Sequence, residues 1–308
     1  MNDFRFKRFN IVQGNSAMRV NTDGVLLAAW MSMPLPQKIE TESSGPLLPY
    51  GSRPLRMLDI GTGSGVLAII AAQRMVEERV EERGAGHVTI DAVEIDENSC
   101  DDANLNFRVA ERGFLEGKVK LNLYNMPIQE FCRKKTVSKM DDSLFGYDLI
   151  FSNPPYFVNS LKSEKVSKTV ARHTDTLPQG DLIYTVCRLL RLAGRFALVL
   201  PTAEAADFIK KTELLKSAAL GSTEVETSPY LELKRVCRVK TTARKEAKRL
   251  LMEFELCNGC GYSPGAAGGT AEKPECEAKI EEQTLVILEN GEYTAEYKKL
   301  TAHFYMNF

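Results

Sequence analysis

What the chain lacks narrows its class. It has no run of about eighteen apolar residues, so no membrane-spanning helix is expected. Its first nine residues, Met1 to Phe9, are basic and aromatic and carry no apolar core of the secretory-leader type, so a cytoplasmic location is expected. Seven cysteines, an odd number scattered over 308 residues, fit reduced thiols rather than a disulfide framework. A metal is not expected either: Cys257-Asn258-Gly259-Cys260 has no second C-x-x-C partner, only Cys276 and His303 to complete it, and a Gly/Pro-rich setting. The three histidines suggest no base or ligand set, and a net charge of −1 gives no global attraction to a polyanion. There is no internal repeat.

What is present is a soluble α/β pattern: 44% hydrophobic and 26% charged residues give ample material for a core. Strands are expected at about 56–60, 88–95, 119–123, 147–152 and 195–200, alternating with helices at about 65–76, 97–112, 179–192 and 203–215. Such βα alternation predicts a doubly wound, mostly parallel sheet whose ligands lie outside the carboxyl ends of its strands. Later runs at 225–228, 231–241, 250–256 and 284–288 predict a closing antiparallel pair at one sheet edge. The expected organisation is one domain over 1–308, with an N-terminal substrate and cofactor arm at 1–33. Surface insertions are expected near 34–53, 77–86 and 258–279, which are rich in Pro, Ser, Gly or charge.

Two motifs fall at strand ends. In Met57-Leu58-Asp59-Ile60-Gly61-Thr62-Gly63-Ser64-Gly65, an apolar strand runs into alternating glycines and then an apolar helical stretch. Gly61, Gly63 and Gly65 let the backbone turn sharply and approach a ligand, and Asp59 can anchor the loop. The spacing D-x-G-x-G-x-G departs from the dinucleotide pattern and resembles the S-adenosylmethionine loop of class I methyltransferases. Glu94, in Glu94-Ile95-Asp96 at the end of the second strand, is suited to accept hydrogen bonds from both ribose hydroxyls.

The second motif is Asn153-Pro154-Pro155-Tyr156, after the apolar run Tyr147 to Ser152. An amino group on a purine, or an amide nitrogen, has its lone pair delocalised and is a poor nucleophile. The Asn153 carboxamide oxygen and the Pro154 carbonyl can each accept one of its N–H bonds, localising that lone pair without a strong base. The prolines stiffen the turn, and Tyr156 offers a flat face for a flipped-out base. The pair of motifs points to methyl transfer onto a planar nitrogen.

Basic residues cluster around these motifs. Lys234 to Arg249 holds eight cations against Glu246; Lys162, Lys165, Lys168, Arg172 and His173 follow the second motif; and Arg5, Lys7 and Arg8 interleave with Phe4, Phe6 and Phe9. This suits phosphate contacts with base stacking, hence a polyanionic substrate.

Together these residues resemble the bacterial tRNA1(Val) adenine-N6 methyltransferases, over nearly the whole chain outside the insertions. The likeness includes Phe4-x-Phe6-Lys7-x-Phe9, Gln13, Ala17 to Trp30, Asp59 to Gly65, Val93 to Asp96, Asn153 to Phe157, Ser160-Leu161, Ala171-Arg172-His173 and the tail Tyr293 to Tyr305. It implies a Rossmann-like class I methyltransferase fold, S-adenosylmethionine as cofactor, and the anticodon stem-loop of tRNA as partner, the methyl going to the adenine 3′ of the anticodon. Thr22 is then expected near the methionine end of the cofactor, or as a helix N-cap with Asp23, and Phe157, Arg172 and His173 in the substrate loop. Ile95 is expected among the cofactor-binding residues. One departure stands out. Pro127 occupies the position where many relatives carry an Asp for the cofactor's adenine, so backbone or apolar contacts from Met126 and Ile128 are expected to replace it. The alternatives are a glutamine N5-methyltransferase acting on release factors, which shares the NPPY turn, and a non-catalytic RNA-binding module; a free-standing DNA adenine methyltransferase lacks a target-recognition domain here.

Overall fold

A computed structural model describes residues 3–34, 54–78, 88–115, 117–137, 146–154, 177–221, 228–258 and 279–306. Most of the expected insertions at 34–53, 77–86 and 258–279 therefore lie outside the described residues, as do Pro155, Tyr156, Phe157, Arg172 and His173.

Nine strands form one sheet in the order β11-β10-β8-β9-β7-β6-β3-β4-β5. The parallel half comprises β3 (Leu55–Ile60), β4 (Val88–Glu94), β5 (Val119–Asn125), β6 (Tyr147–Ser152) and β7 (Leu190–Pro201). The strand β9 (Arg249–Cys257) runs antiparallel between β7 and β8 (Tyr230–Thr242). Thus the expected antiparallel pair forms, yet it does not close the sheet: β10 (Glu281–Glu289) adds in parallel to β8, and the short β11 (Glu292–Tyr293) is the antiparallel edge. The run at 225–228 lies largely outside the described residues.

Central strands read as nearly unbroken apolar runs because both sheet faces are covered. Alternate side chains go to opposite faces. On one side Met57, Ile90, Leu121, Leu149, Phe151, Ala197 and Val199 pack with α1 (Thr22–Trp30), α2 (Val66–Glu78) and α3 (Glu97–Arg112). On the other, Leu58, Ile60, Val93, Ile150, Phe196 and Leu198 pack with α4 (Ile128–Val137), α5 (Gln179–Leu189) and α6 (Thr202–Gly221). The predicted helix over 179–192 stops at Leu189, because Leu190 is already extended (φ −79°, ψ 148°) and begins β7, whose start is irregular, with φ 60° at Ala193 and a register slip against β6 between Tyr147 and Leu149.

The N-terminal arm corrects one expectation. Its phenylalanines are not free to stack on bases: Phe6 and Phe9 are buried, with ring centroids 4.7 Å apart, Phe6 against Tyr305 and Phe9 against Phe114. Alternating aromatic and basic residues also describe a half-buried strand pair, and the arm forms one from β1 (Phe4–Arg5) and β2 (Asn10–Ile11). Two of the three cations are engaged as well, Lys7 Nζ donating to the Ala302 carbonyl at 2.7 Å and Arg8 pairing with Glu77 at 2.6 Å. A helix from the tail, α7 (Ala295–Thr301), leads into this contact: the Lys7 amide donates to the Phe304 carbonyl at 2.8 Å.

Candidate functional site

A cavity of about 920 Å³ opens at the carboxyl ends of β3, β4 and β6. Its floor is the glycine loop. The amides of Gly61 and Thr62 both donate to the Val93 carbonyl, at 2.9 and 3.1 Å, folding the loop over the end of β4. All three glycines have positive φ, 70° at Gly61, 56° at Gly63 and 84° at Gly65. A Cβ built on Gly61 or Gly63 would meet nothing within 4 Å, whereas one on Gly65 would stand 2.5 Å from Phe107 Cε1. Gly61 and Gly63 line the cavity; Gly65 does not, and its role is the close packing of the loop on α3.

Asp59 sits behind this loop, 1% exposed and outside the cavity lining, its Oδ2 accepting from the Thr62 hydroxyl at 2.6 Å. It anchors the loop rather than facing a ligand. Burial pushes its carboxyl up to about 7, against the smaller lowering effect of the Thr62 bond. Because the folded state holds this proton more tightly than the unfolded chain, the associated stability is fully present below pH 4 and is lost as pH rises through about 7. Asp59→Asn keeps an acceptor for Thr62 and removes the titration. The expected outcome is a melting-temperature difference, variant minus parent, that grows from pH 5 to about pH 7 and levels off above it; a difference independent of pH would show that Asp59 is ionised throughout.

Glu94, 9% exposed, lines the opposite wall. Its Oε2 accepts from the Gly63 amide at 2.8 Å, and its Oε1 from the amides of Ile95 and Asp96 at 2.8 and 2.9 Å. These bonds fix the carboxylate with its remaining acceptor capacity toward the cavity, where a pair of hydroxyls can reach it. Ile95, Met126, Pro127 and Ile128 also line the cavity. Pro127 begins α4, its carbonyl accepting from the amides of Glu130 and Phe131 at 3.1 Å, so a helix the sequence reading omitted starts where relatives are expected to carry an Asp. Met126 is held by its amide on the Glu94 carbonyl at 3.0 Å.

On the third side, Asn153 and Pro154 leave the end of β6. Asn153 is 7% exposed, and its Oδ1 is a buried acceptor with no hydrogen-bond donor among the described residues. Its Nδ2 lies 3.4 Å from Asn21 Oδ1, which also accepts from the Gly24 amide at 2.9 Å as the N-cap of α1. The oxygen of Asn21 is thus fixed by the helix it caps, and it demands the nitrogen of Asn153 opposite. The Asn153 oxygen is left for another donor. Thr22 is therefore not the cap, and the residues at this point of the cavity wall are Asn21 and Gly24. Both were missed as site residues; the N-cap preference for Asn before an apolar helix was the available signal.

The second half of the arm does reach the cavity. The carboxylate of Asp102 accepts from the amides of Asn15 and Ser16 at 2.9 and 2.8 Å, and Asn106 exchanges two bonds of 2.8 Å with Val12. One turn apart on α3, these side chains hold the segment that brings Ala17, Met18 and Arg19 to the cavity edge.

A protein from Trichodesmium erythraeum named tRNA1(Val) (adenine(37)-N6)-methyltransferase is 37% identical over 238 residues, 76% of this chain and 82% of its own length. One of the same name from Pseudoalteromonas translucida is 30% identical over 307 residues and 99% of both chains. The chain belongs to the tRNA1(Val) (adenine(37)-N6)-methyltransferase family. No family model matches it. As a member of this methyltransferase family it also shares its fold with a crystal structure described as a predicted O-methyltransferase from Agrobacterium tumefaciens, at a TM-score of 0.52 and 14% identity over 92% of this chain and 96% of the other. No helix among the described residues is long and apolar enough to cross a membrane.

Proposed function

We propose that this protein transfers the methyl group of S-adenosylmethionine to N6 of adenine 37 in tRNA1(Val). The observation that carries the reading is the orphaned Asn153 Oδ1, buried at the cavity wall with its amide orientation set by Asn21. A buried acceptor without a donor is unfavourable by roughly 1–3 kcal/mol, which is recovered when an amino N–H arrives. S-adenosylmethionine fits the remaining walls, a glycine floor open to close approach and a pinned carboxylate at the end of β4, and when bound it supplies an electrophilic sulfonium methyl.

The chain's own groups do the rest. Asn153 Oδ1 accepts one N–H of the adenine amino group and the Pro154 carbonyl the other, which concentrates the nitrogen lone pair and holds it on a line of attack. Tyr156 stacks on the base, and Phe157, Arg172 and His173 guide the RNA strand carrying it; these four lie outside the described residues and enter through the NPPY turn and its basic sequel. Gly61 and Gly63 floor the cofactor site, Glu94 holds its ribose, Ile95, Met126 and Ile128 flank its adenine, and Asn21 takes the place at the helix start, near the methionine end, that was expected of Thr22.

The test is incubation of the purified protein with methyl-labelled S-adenosylmethionine and, in parallel, unmodified tRNA1(Val) or a release factor, followed by mass spectrometry of nucleosides and peptides. N6-methyladenosine at position 37 is the expected product. Methylglutamine in the release factor instead would overturn the proposal in favour of the enzymes that share the NPPY turn.

A further inference from the structure

The basic run between Lys234 and Arg249 divides sharply once its partners are known. Lys234 is paired with Glu232; Arg235 contacts Glu253 at 2.7 Å and lies over the Trp30 ring at 4.3 Å; Arg238 pairs with Glu282 at 2.6 Å. These three cations are spent on the sheet. Arg249 pairs with Asp23 at 2.6 Å. The other four, Lys240, Arg244, Lys245 and Lys248, form no ion pair with any described residue, and the last three are exposed. Their one acidic neighbour in the turn is Glu246, also exposed.

Position gives this turn its meaning. Both β7 and β8 run antiparallel to β9, so the end of β8 lies at the same edge of the sheet as the ends of β3, β4 and β6, where the cavity opens. The turn is built to stay there: the Thr202 hydroxyl donates to the Ala247 carbonyl at 2.6 Å, the Thr202 amide to the Lys248 carbonyl at 3.3 Å, and the Lys248 amide to the Val239 carbonyl at 3.0 Å. The Arg249–Asp23 pair fastens it to the first turn of α1, next to Asn21 and Gly24 of the cavity wall.

We infer that the β8–β9 turn, through Lys240, Arg244, Lys245 and Lys248, contacts the RNA phosphate backbone beside the nucleotide that enters the cavity. This inference rests on the proposed tRNA substrate and names the surface that holds it. A protein partner would call for an aromatic or apolar anchor at the centre of the patch, and the turn offers only Ala243 and Ala247 between its cations. Unpaired exposed cations on a hydrogen-bonded turn suit a polyanion whose contacts position it without reading sequence.

The triple variant Arg244→Ala/Lys245→Ala/Lys248→Ala tests it, with Arg108→Ala/Arg112→Ala/Lys120→Ala at the opposite sheet edge as an equal loss of charge. Affinity for a tRNA1(Val) transcript is titrated across a salt series, with S-adenosylmethionine affinity measured as the check on folding. The turn variant is expected to lose at least about tenfold in RNA affinity at low salt and to flatten the slope of log affinity against log salt by about 2–3. Cofactor affinity and kcat at saturating tRNA are expected to be unchanged, and the control to behave like the parent. A parent that methylates tRNA alongside a turn variant of the same affinity and slope would overturn the turn while leaving the activity intact. A parent that neither binds nor methylates tRNA would overturn both.

Discussion

Asn153→Ala is expected to lower methyl transfer by about 10²–10³-fold, the range for deleting one preorganised polar group at a reacting centre, with S-adenosylmethionine affinity unchanged. The oxygen removed is an acceptor without a donor among the described residues, so its loss disturbs few native bonds and falls on the substrate's N–H. Asn153→Asp separates orientation from presence. It restores an acceptor in the cavity but sets its second oxygen against Asn21 Oδ1, now 3.4 Å from a nitrogen, and is expected to recover activity only in part. Single-turnover transfer onto tRNA, paired with calorimetric titration of the cofactor, reads both quantities. Transfer by the alanine variant within about threefold of the parent would remove Asn153 from the chemistry.

The second large effect is on stability. Gly65→Ala forces a residue with a side chain to hold φ 84° and drives its Cβ to 2.5 Å from the Phe107 ring. A left-handed backbone costs about 1–2 kcal/mol and overpacking a further 1–3, so a loss of roughly 2–5 kcal/mol is expected, about 3–8 °C in melting temperature at this chain length. Gly61→Ala carries only the backbone strain, since nothing stands within 4 Å, and its Cβ instead intrudes on the cavity. The two glycines should therefore part company in opposite directions, Gly65→Ala in melting temperature and Gly61→Ala in cofactor affinity. Adding Phe107→Ala should be less than additive with Gly65→Ala, since the ring being removed is the one being struck. Equal melting temperatures for the two glycine variants would contradict the division.

The parts of the fold that could be read from the sequence are those in which local signals agree. An apolar strand, three spaced glycines and an apolar helix specify β3 to α2; Asp96 ahead of a polar-apolar repeat gives α3 its start, and its side chain does accept from the Ser99 amide at 2.9 Å. Strand β6 and its terminal Asn-Pro were equally plain. The omitted elements depend on distant partners. Helix α4 buries only Ile128, Phe131 and Cys132 and reads as polar without its neighbours. Strand β10 was expected at 284–288, but its parallel pairing with β8, some forty-five residues earlier in the chain, was not. The contact between Asn21 and Asn153 joins residues 132 apart, and nothing near either one announces the other. In the arm, alternation of Phe with Arg and Lys fits an RNA-stacking surface and a buried hairpin equally; the rings of the tail decide it.

That clasp between arm and tail bears on how the protein is made. Residues 15–21, which complete the cavity, continue from a hairpin whose outer anchor is the carbonyls of Ala302 and Phe304 and the ring of Tyr305. A ribosome delivers those groups only after every strand of the sheet. The glycine loop and β6 can take shape earlier in synthesis, but the hairpin ahead of Asn21 lacks its outer anchor until the tail joins it. Maturation of the site is thereby tied to the arrival of residues 302–305, and a chain without them would keep its sheet and loosen the fixed geometry of its first segment.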